Sequence, residues 1–160
     1  MAVIALTQGK VQFGTAWTGT SPGAPGTQTV SGTVTSPIDL SFWGKSLSTP
    51  EAFDALDASG FGSGGFKNFV PGMSSMSASI TFFQDYAASA TYATLSAVTL
   101  AKTLTFWDIN PTQAARSATN PSLVIAAYMT QFDFLTAATG EVAEVSVGLQ
   151  VTGKWAHLTS

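Results

Sequence analysis

The most regular pattern in the chain is an alternation. Met76, Ala78, Ile80 and Phe82 fall on one parity, and Ser75, Ser77, Ser79 and Thr81 on the other. Successive side chains of a strand point to opposite faces, so this stretch predicts a strand with one buried face and one hydroxyl-lined face. A second clean alternation closes the chain, with Val145, Val147, Leu149 and Val151 set against Ser146, Gly148, Gln150 and Thr152. Val11, Phe13 and Trp17 share a parity and predict a strand near the N-terminus. A weaker strand is predicted over 29–35, around Val30 and Val34, and a better one where Ile38, Leu40 and Phe42 alternate with Asp39 and Ser41. The segment 100–109 reads as a strand, with Leu104 and Phe106 opposite Thr103, Thr105 and Trp107. Over 123–134 both parities are apolar through Tyr128 and mixed at Gln131 and Asp133, which predicts a strand buried on both faces.

The period changes in the middle of the chain. Ala88, Tyr92, Leu95 and Val98 recur at i, i+4, i+7 and i+10, the apolar stripe of one amphipathic helix over 85–98 with Asp85 as its cap. Thr49 followed by Pro50, with Phe53 and Leu56 three apart, predicts a short second helix, although an extended rim segment would carry the same residues. Glycine and proline mark the loops at 18–28, between Asn110-Pro111 and Asn120-Pro121, and at 137–141. The densest such stretch runs from Gly60 to Gly72 and holds five glycines, three phenylalanines and a proline. A glycine-rich loop carrying three aromatic rings is either a tightly packed turn or a docking surface. Strands, one central helix and then more strands predict a mainly antiparallel β-sandwich or barrel with one packed helix, in a single domain spanning 1–160.

Composition narrows the function classes. A chain of 160 residues buries roughly 70% of its unfolded surface and needs no staples, and it has no cysteine for a disulfide, a thiolate nucleophile or a thiolate metal site. Only 9% of residues are charged, against about 25% in ordinary soluble domains. The polar surface is therefore built from serine and threonine, which suits either an exterior covered in the working state or a secreted β protein. A net charge of −3 with no basic run speaks against specific nucleic-acid binding. The apolar residues after Met1 have no basic residue before them, unlike a signal peptide, and the longest apolar run, 123–129, is too short to span a bilayer.

Chemistry is sparse. Gly19-Thr20-Ser21-Pro22-Gly23 has the spacing of a nucleophile elbow but lacks the following helix. Gly60, Gly62 and Gly65 have dinucleotide-loop spacing, with Asp85 twenty residues on, yet Pro71-Gly72 and an alternating strand follow where a helix should open. The one histidine, His157, stands alone near the C-terminus, and no calcium-loop pattern occurs. No catalytic, cofactor or metal site is expected.

The block from Asp57 to Met73, the strand to Phe83 and then Asp85 resemble the major tail tube proteins of long-tailed bacteriophages. There an acidic, glycine-rich segment leads through an aromatic and a basic residue into an aromatic-aliphatic-Pro-Gly step, an alternating strand and a helix. The stretch from Tyr128-Met129-Thr130 to Gly153-Lys154-Trp155 is similar to that family's closing hairpin, and the likeness covers 38–155. The loop at 18–28 and the segment 48–56 depart from the pattern.

The resemblance implies a structural virion protein, not an enzyme: hexameric rings stacked into a hollow tube in the phage tail, assembled in the bacterial cytoplasm. Double-stranded DNA and the tape-measure protein would pass through a channel lined by one barrel shared among six subunits. It implies assembly contacts at Phe61, Gly62, Gly64, Gly65, Phe66, Phe69, Pro71 and Gly72, and makes Asp133, Glu141 and Glu144 candidates for the lumen. Closure into a shared barrel would remove exposed strand edges, and an acidic wall would let DNA slide without adhering. Two other readings remain open: a related virion ring such as a tail terminator or distal tail protein, and a secreted β-sandwich that binds ligands through Trp17, Trp43 or Trp107.

Overall fold

The computed structural model describes residues 9–23, 29–62, 64–87 and 91–159. The alternation around Met76 is the inner half of β7 (Phe69–Phe83), one of two strands of 15 residues; the other is β9 (Ser122–Thr136). Around them stand β1 (Lys10–Gly14), β2 (Trp17–Thr18), β3 (Thr33–Val34), β4 (Ile38–Asp39), β5 (Gly44–Ser48) and β6 (Glu51–Asp57). The second half adds α1 (Thr91–Ala101), β8 (Thr105–Asn110), β10 (Glu144–Val151) and β11 (Ala156–Leu158). The main sheet runs β4-β1-β8-β9-β10-β7-β5, with β11 beside β9 and β6 beside β7, while β2 and β3 form a separate ribbon. Every pairing is antiparallel. The two ends of that path, β4 and β5, are joined by residues 40–43 alone. An extended residue spans only about 3.3–3.6 Å, so the sheet has to curl until its ends approach. The result is the mainly antiparallel architecture with one packed helix that the periodicity predicts.

The curl encloses the alternating apolar positions. Val11 and Phe13, Trp107 and Ile109, Ile125 and Ala127, the four residues from Val145 to Val151 and the four from Met76 to Phe82 form one buried cluster, closed on one side by Leu95 of α1. Burial of each large apolar side chain contributes about 1.5–3 kcal/mol. Phe13 and Trp107 stack with centroids 4.9 Å apart, and the Trp107 indole donates to Thr105 Oγ1 at 2.9 Å. That contact satisfies both polar groups of a face that must stay dry.

A partial second layer covers the first half of β9. Residues 122–127 are buried on both parities, as expected, but exposure begins at Tyr128. The loop after β2 lies over this half. Gly23 donates its N–H to Lys154 O at 3.1 Å, at a point where a Cβ on Gly23 would stand 2.7 Å from Ala126 Cβ. Gly153 faces Gly23 from the segment that follows β10, with φ 65°, and would bring its own Cβ within 2.4 Å of the Gly23 Cα. Two glycines back to back are what lets the two loop segments approach.

Several expectations are corrected. The segment predicted as a helix from Thr49 is strand β6, paired with β7 from Glu51 opposite Met76 to Asp57 opposite Phe69. A bulge between Phe53 and Ala55 puts Phe53 opposite Ser74 and Leu56 opposite Val70, positions of one parity on β7. A bulged strand thus reproduces the three-residue spacing of a helix turn. The alternation Ile38-Leu40-Phe42 ends as a strand at Asp39, because Asp39 Oδ1 accepts from the Ser41 N–H at 2.9 Å and winds Ser41–Trp43 into a 3-10 turn. Leu40 is buried there and Phe42 is exposed. Trp17 leaves the β1 alignment for the β2–β3 ribbon, where its indole donates to Ser31 O at 3.0 Å. Only Thr33 and Val34 of the segment 29–35 are strand.

The helix is shifted as well. Asp85 to Ala87 is not helical, α1 runs on to Ala101, and Leu100 belongs to it rather than to β8. Ala88 lies outside the described residues. Asp85 Oδ1 accepts from the Ala87 N–H at 2.8 Å, and the Asp85 N–H donates to Thr91 Oγ1 at 3.0 Å.

Candidate assembly surface

Strands β5 and β6 pair in succession with the same side of β7: β5 opposite 79–82, β6 opposite 69–76. Met76 is the last buried residue of β7 toward the tip, and all seven residues of β6 are exposed. Beyond the core the two strands therefore continue as a bare two-stranded arm. Its apolar side chains lie outside the core cluster and are largely exposed. Phe61 at the tip is wholly exposed, Phe66 is 79% exposed and Met73 80%, and Phe53, Leu56, Phe69 and Val70 are exposed beside them. Pro71 and Gly72 lie inside β7 rather than in the connection, with Pro71 opposite Ala55. Pro71 lacks a donor, which an edge pair tolerates, and a Cβ on Gly72 would meet Asp54 Cβ at 3.0 Å.

The loop that joins the arm is tied at its base. Ala58 N–H donates to Asn68 O at 2.8 Å, and Asn68 N–H donates to Ser59 Oγ at 2.9 Å. The side chain and then the backbone N–H of Ser59 bond to the Asp57 carboxylate and hold it below its ordinary pKa of 3.8. Gly64 and Gly65 take left-handed φ values of 58° and 84°. A Cβ at Gly60, Gly62, Gly64 or Gly65 would meet nothing within 4 Å. The tip is thus not a packed turn within its own chain.

The outer face of β5, β7, β10 and β9 is the hydroxyl side of the alternation. Thr81 stands opposite Ser146, Ser79 opposite Gly148 and Ser77 opposite Gln150. Gly148 in turn faces Gln131, and Ser146 faces Asp133. Ser46 and Ser48 of β5 continue the surface. Thr81 Oγ1 and Ser146 Oγ share a hydrogen bond of 3.1 Å. Asp133 and Glu144 lie on this face and Glu141 in the turn that precedes β10. Glu144 forms an ion pair with Lys45, and Asp133 accepts from Gln131 Nε2 at 2.8 Å. The face is polar and close to electrically neutral.

Both borders of this four-stranded face are open. β8 pairs with β9 only as far as Ala127. Among the described residues no strand pairs with that side of β9 from Tyr128 to Thr136, or with the outer side of β5 and β6. Unpaired N–H and C=O rows of this length are templates for another strand.

Three polar contacts had no signal in the sequence. Trp43, Asp85 and Thr91 join the start of β5 to the end of β7. Lys45 and Glu144 are 99 positions apart. Arg116 reaches from the loop after β8 to Asp108 and to Gly32 O at 2.9 Å, with Ser122 Oγ donating to the same carboxylate. This last cluster is nearly buried and pins the two covering loops onto β8. No group of three metal-binding side chains occurs among the described residues. His157 is exposed on β11 opposite Leu123. Ser21 donates to Pro22 O at 2.7 Å, and the described glycines at 60–65 lead into strand β7 rather than into a helix. No described helix is long and apolar enough to cross a membrane.

No protein-family model matches the sequence. No curated protein matches it. Among solved structures the chain is similar to the SPP1 tail tube, with TM-score 0.64 at 13% identity over 99% of this chain and 80% of the other. It is similar to a subunit of the tail of an empty gene transfer agent particle solved with C6 symmetry, with TM-score 0.59 at 10% identity over 72% and 82% of the two chains. It is also similar to a component of the anti-feeding prophage baseplate, with TM-score 0.56 at 12% identity over 99% and 97%. At these identities the likeness is one of fold, and the fold is that of phage tail tubes.

Proposed function

We propose that the protein is a tail tube subunit, which assembles as hexameric rings stacked into the hollow conduit of a phage tail. The observation that carries this reading is the four-stranded sheet with two open borders and a hydroxyl-rich face of little net charge. An even number of antiparallel strands lets identical copies, all the same way up, continue one antiparallel sheet from subunit to subunit. Closure of that sheet into a ring removes every free edge. The hydroxyl face then lines the channel, where it offers passing DNA neither a cationic grip nor a strong field. The residues Phe61, Gly62, Gly64, Gly65, Phe66, Phe69, Pro71 and Gly72 lie on the arm that projects from the sheet and supply the contacts between copies. Asp133 and Glu144 belong to the channel wall and Glu141 to its rim. The protein works in the virion with other tail proteins, with no cofactor and no reaction of its own.

Likeness to a baseplate component over nearly the whole of both chains supports a second reading, a single ring at a tail end. Negative-stain electron microscopy of the purified protein decides between them. Long hollow tubes are expected; closed single rings would favour the second reading, and monomers at high concentration would overturn both.

A further inference from the structure

At the open border of β9 the structure has a groove. Phe132 and Phe134 form its floor, and Tyr92, Ser96, Thr99 and Leu100 of α1 form its wall, around a cavity of about 300 Å³. Phe132 is opposite Val147, which is buried, so the floor is the core face of the sheet carried past the end of the core. Tyr92 and Phe134 meet edge to face with centroids 6.4 Å apart. Leu100 is 84% exposed above them. The groove is an unfinished piece of core.

We propose that this groove is a socket for Phe53 and Leu56 of β6 from the next copy of the same chain. The inference rests on the ring reading above and assigns its lateral contact. β9 is antiparallel to β10, β10 to β7, and β7 to both β5 and β6. In copies related by a ring axis, the outer edge of β5–β6 therefore runs antiparallel to the free edge of β9. When two edges pair, the faces of the two sheets become continuous. Phe53 and Leu56 stand opposite Ser74 and Val70, the parity of Met76 and Ile80, so they lie on the core face. They would then fall beside Phe132 and Phe134, under α1.

The other side chain at this edge, Leu47, already packs against its own core, whereas Phe53 and Leu56 are 64% and 54% exposed and lie outside the core cluster. A ring of tilted strands closes only with a stagger along the strands, and a stagger toward the arm sets β6 level with Tyr128–Thr136. Charge agrees. β6 carries Glu51, Asp54 and Asp57, and Lys102 follows Leu100 at the end of α1. Socket and plug are different surfaces of one chain, the heterologous arrangement that generates rings.

The chain has no cysteine, so an introduced pair reports on its own. Oxidation of the assembled Phe53→Cys, Leu100→Cys double variant should give a ladder of covalent oligomers on a denaturing gel, and each single variant none. Leu100→Asp should abolish assembly with the melting temperature of the monomer unchanged. Assemblies visible by microscopy that give no ladder, or a Leu100→Asp protein that still assembles, would overturn the socket and leave the tube reading standing. Wild-type protein that never self-associates would overturn both.

Discussion

The indole of Trp43 donates to Asp85 Oδ2 at 3.0 Å, across 42 positions of sequence. Trp43 ends the turn that leads into β5, and Asp85 follows the end of β7, so this bond fastens the edge connection to the point where the chain turns toward α1. The same carboxylate holds the Ala87 N–H. Asp85→Ala removes both bonds and strands a partly buried indole donor. Hydrogen bonds to a charged group are worth about 1.5–3 kcal/mol, and a loss of about 2 kcal/mol is expected in urea denaturation of the monomer. An unchanged midpoint would show that water replaces the carboxylate at no cost.

The Asp108–Arg116 pair has side chains only 10% and 12% exposed. Arg116→Ala leaves a carboxylate with Ser122 as its remaining side-chain donor in a site shielded from water. Removing one partner of a buried pair typically costs about 3–5 kcal/mol. Arg116→Ala should therefore destabilise the fold by that amount in equilibrium denaturation, while the double change Asp108→Asn with Arg116→Met recovers part of it because no buried charge remains.

Gly153 and Gly23 leave no room for a side chain between them. Gly153→Ala puts a methyl group into the Gly23 backbone and forces an L residue into left-handed φ. A loss of more than about 3 kcal/mol is expected, read as a fall in thermal midpoint. Gly62→Ala, where a Cβ meets nothing within 4 Å, is the matched control and should leave that midpoint in place.

Phe66 is 79% exposed and lies outside the core cluster. Phe66→Ser should change monomer stability by less than about 0.5 kcal/mol, as surface changes do, and should impair assembly. Circular dichroism during melting, run beside electron microscopy of tubes, separates the two. Equal loss of folding and assembly would make the arm tip a plain stabilising element.

Strand faces were legible in the sequence because they depend only on local backbone geometry. The parity of Met76 to Phe82 and of Val145 to Val151 places these residues inside whatever the partner strand. The change of period at Tyr92, Leu95 and Val98 likewise marks α1, and the glycine-aromatic block from Asp57 to Met73 carried the tail-tube likeness. Partnership was not legible. Phe53 and Leu56 have helical spacing, and only pairing with β7 turned that spacing into a bulged strand. Trp43 with Asp85, Lys45 with Glu144 and Arg116 with Asp108 are matched by the curl of the sheet, not by neighbouring positions in the chain. The open border of β9 exists because β8 begins only at Thr105, opposite Ala127. A side chain's face follows from its own residue's geometry, whereas its neighbours follow from which distant strand satisfies the backbone, and that is decided when the whole sheet closes around its core.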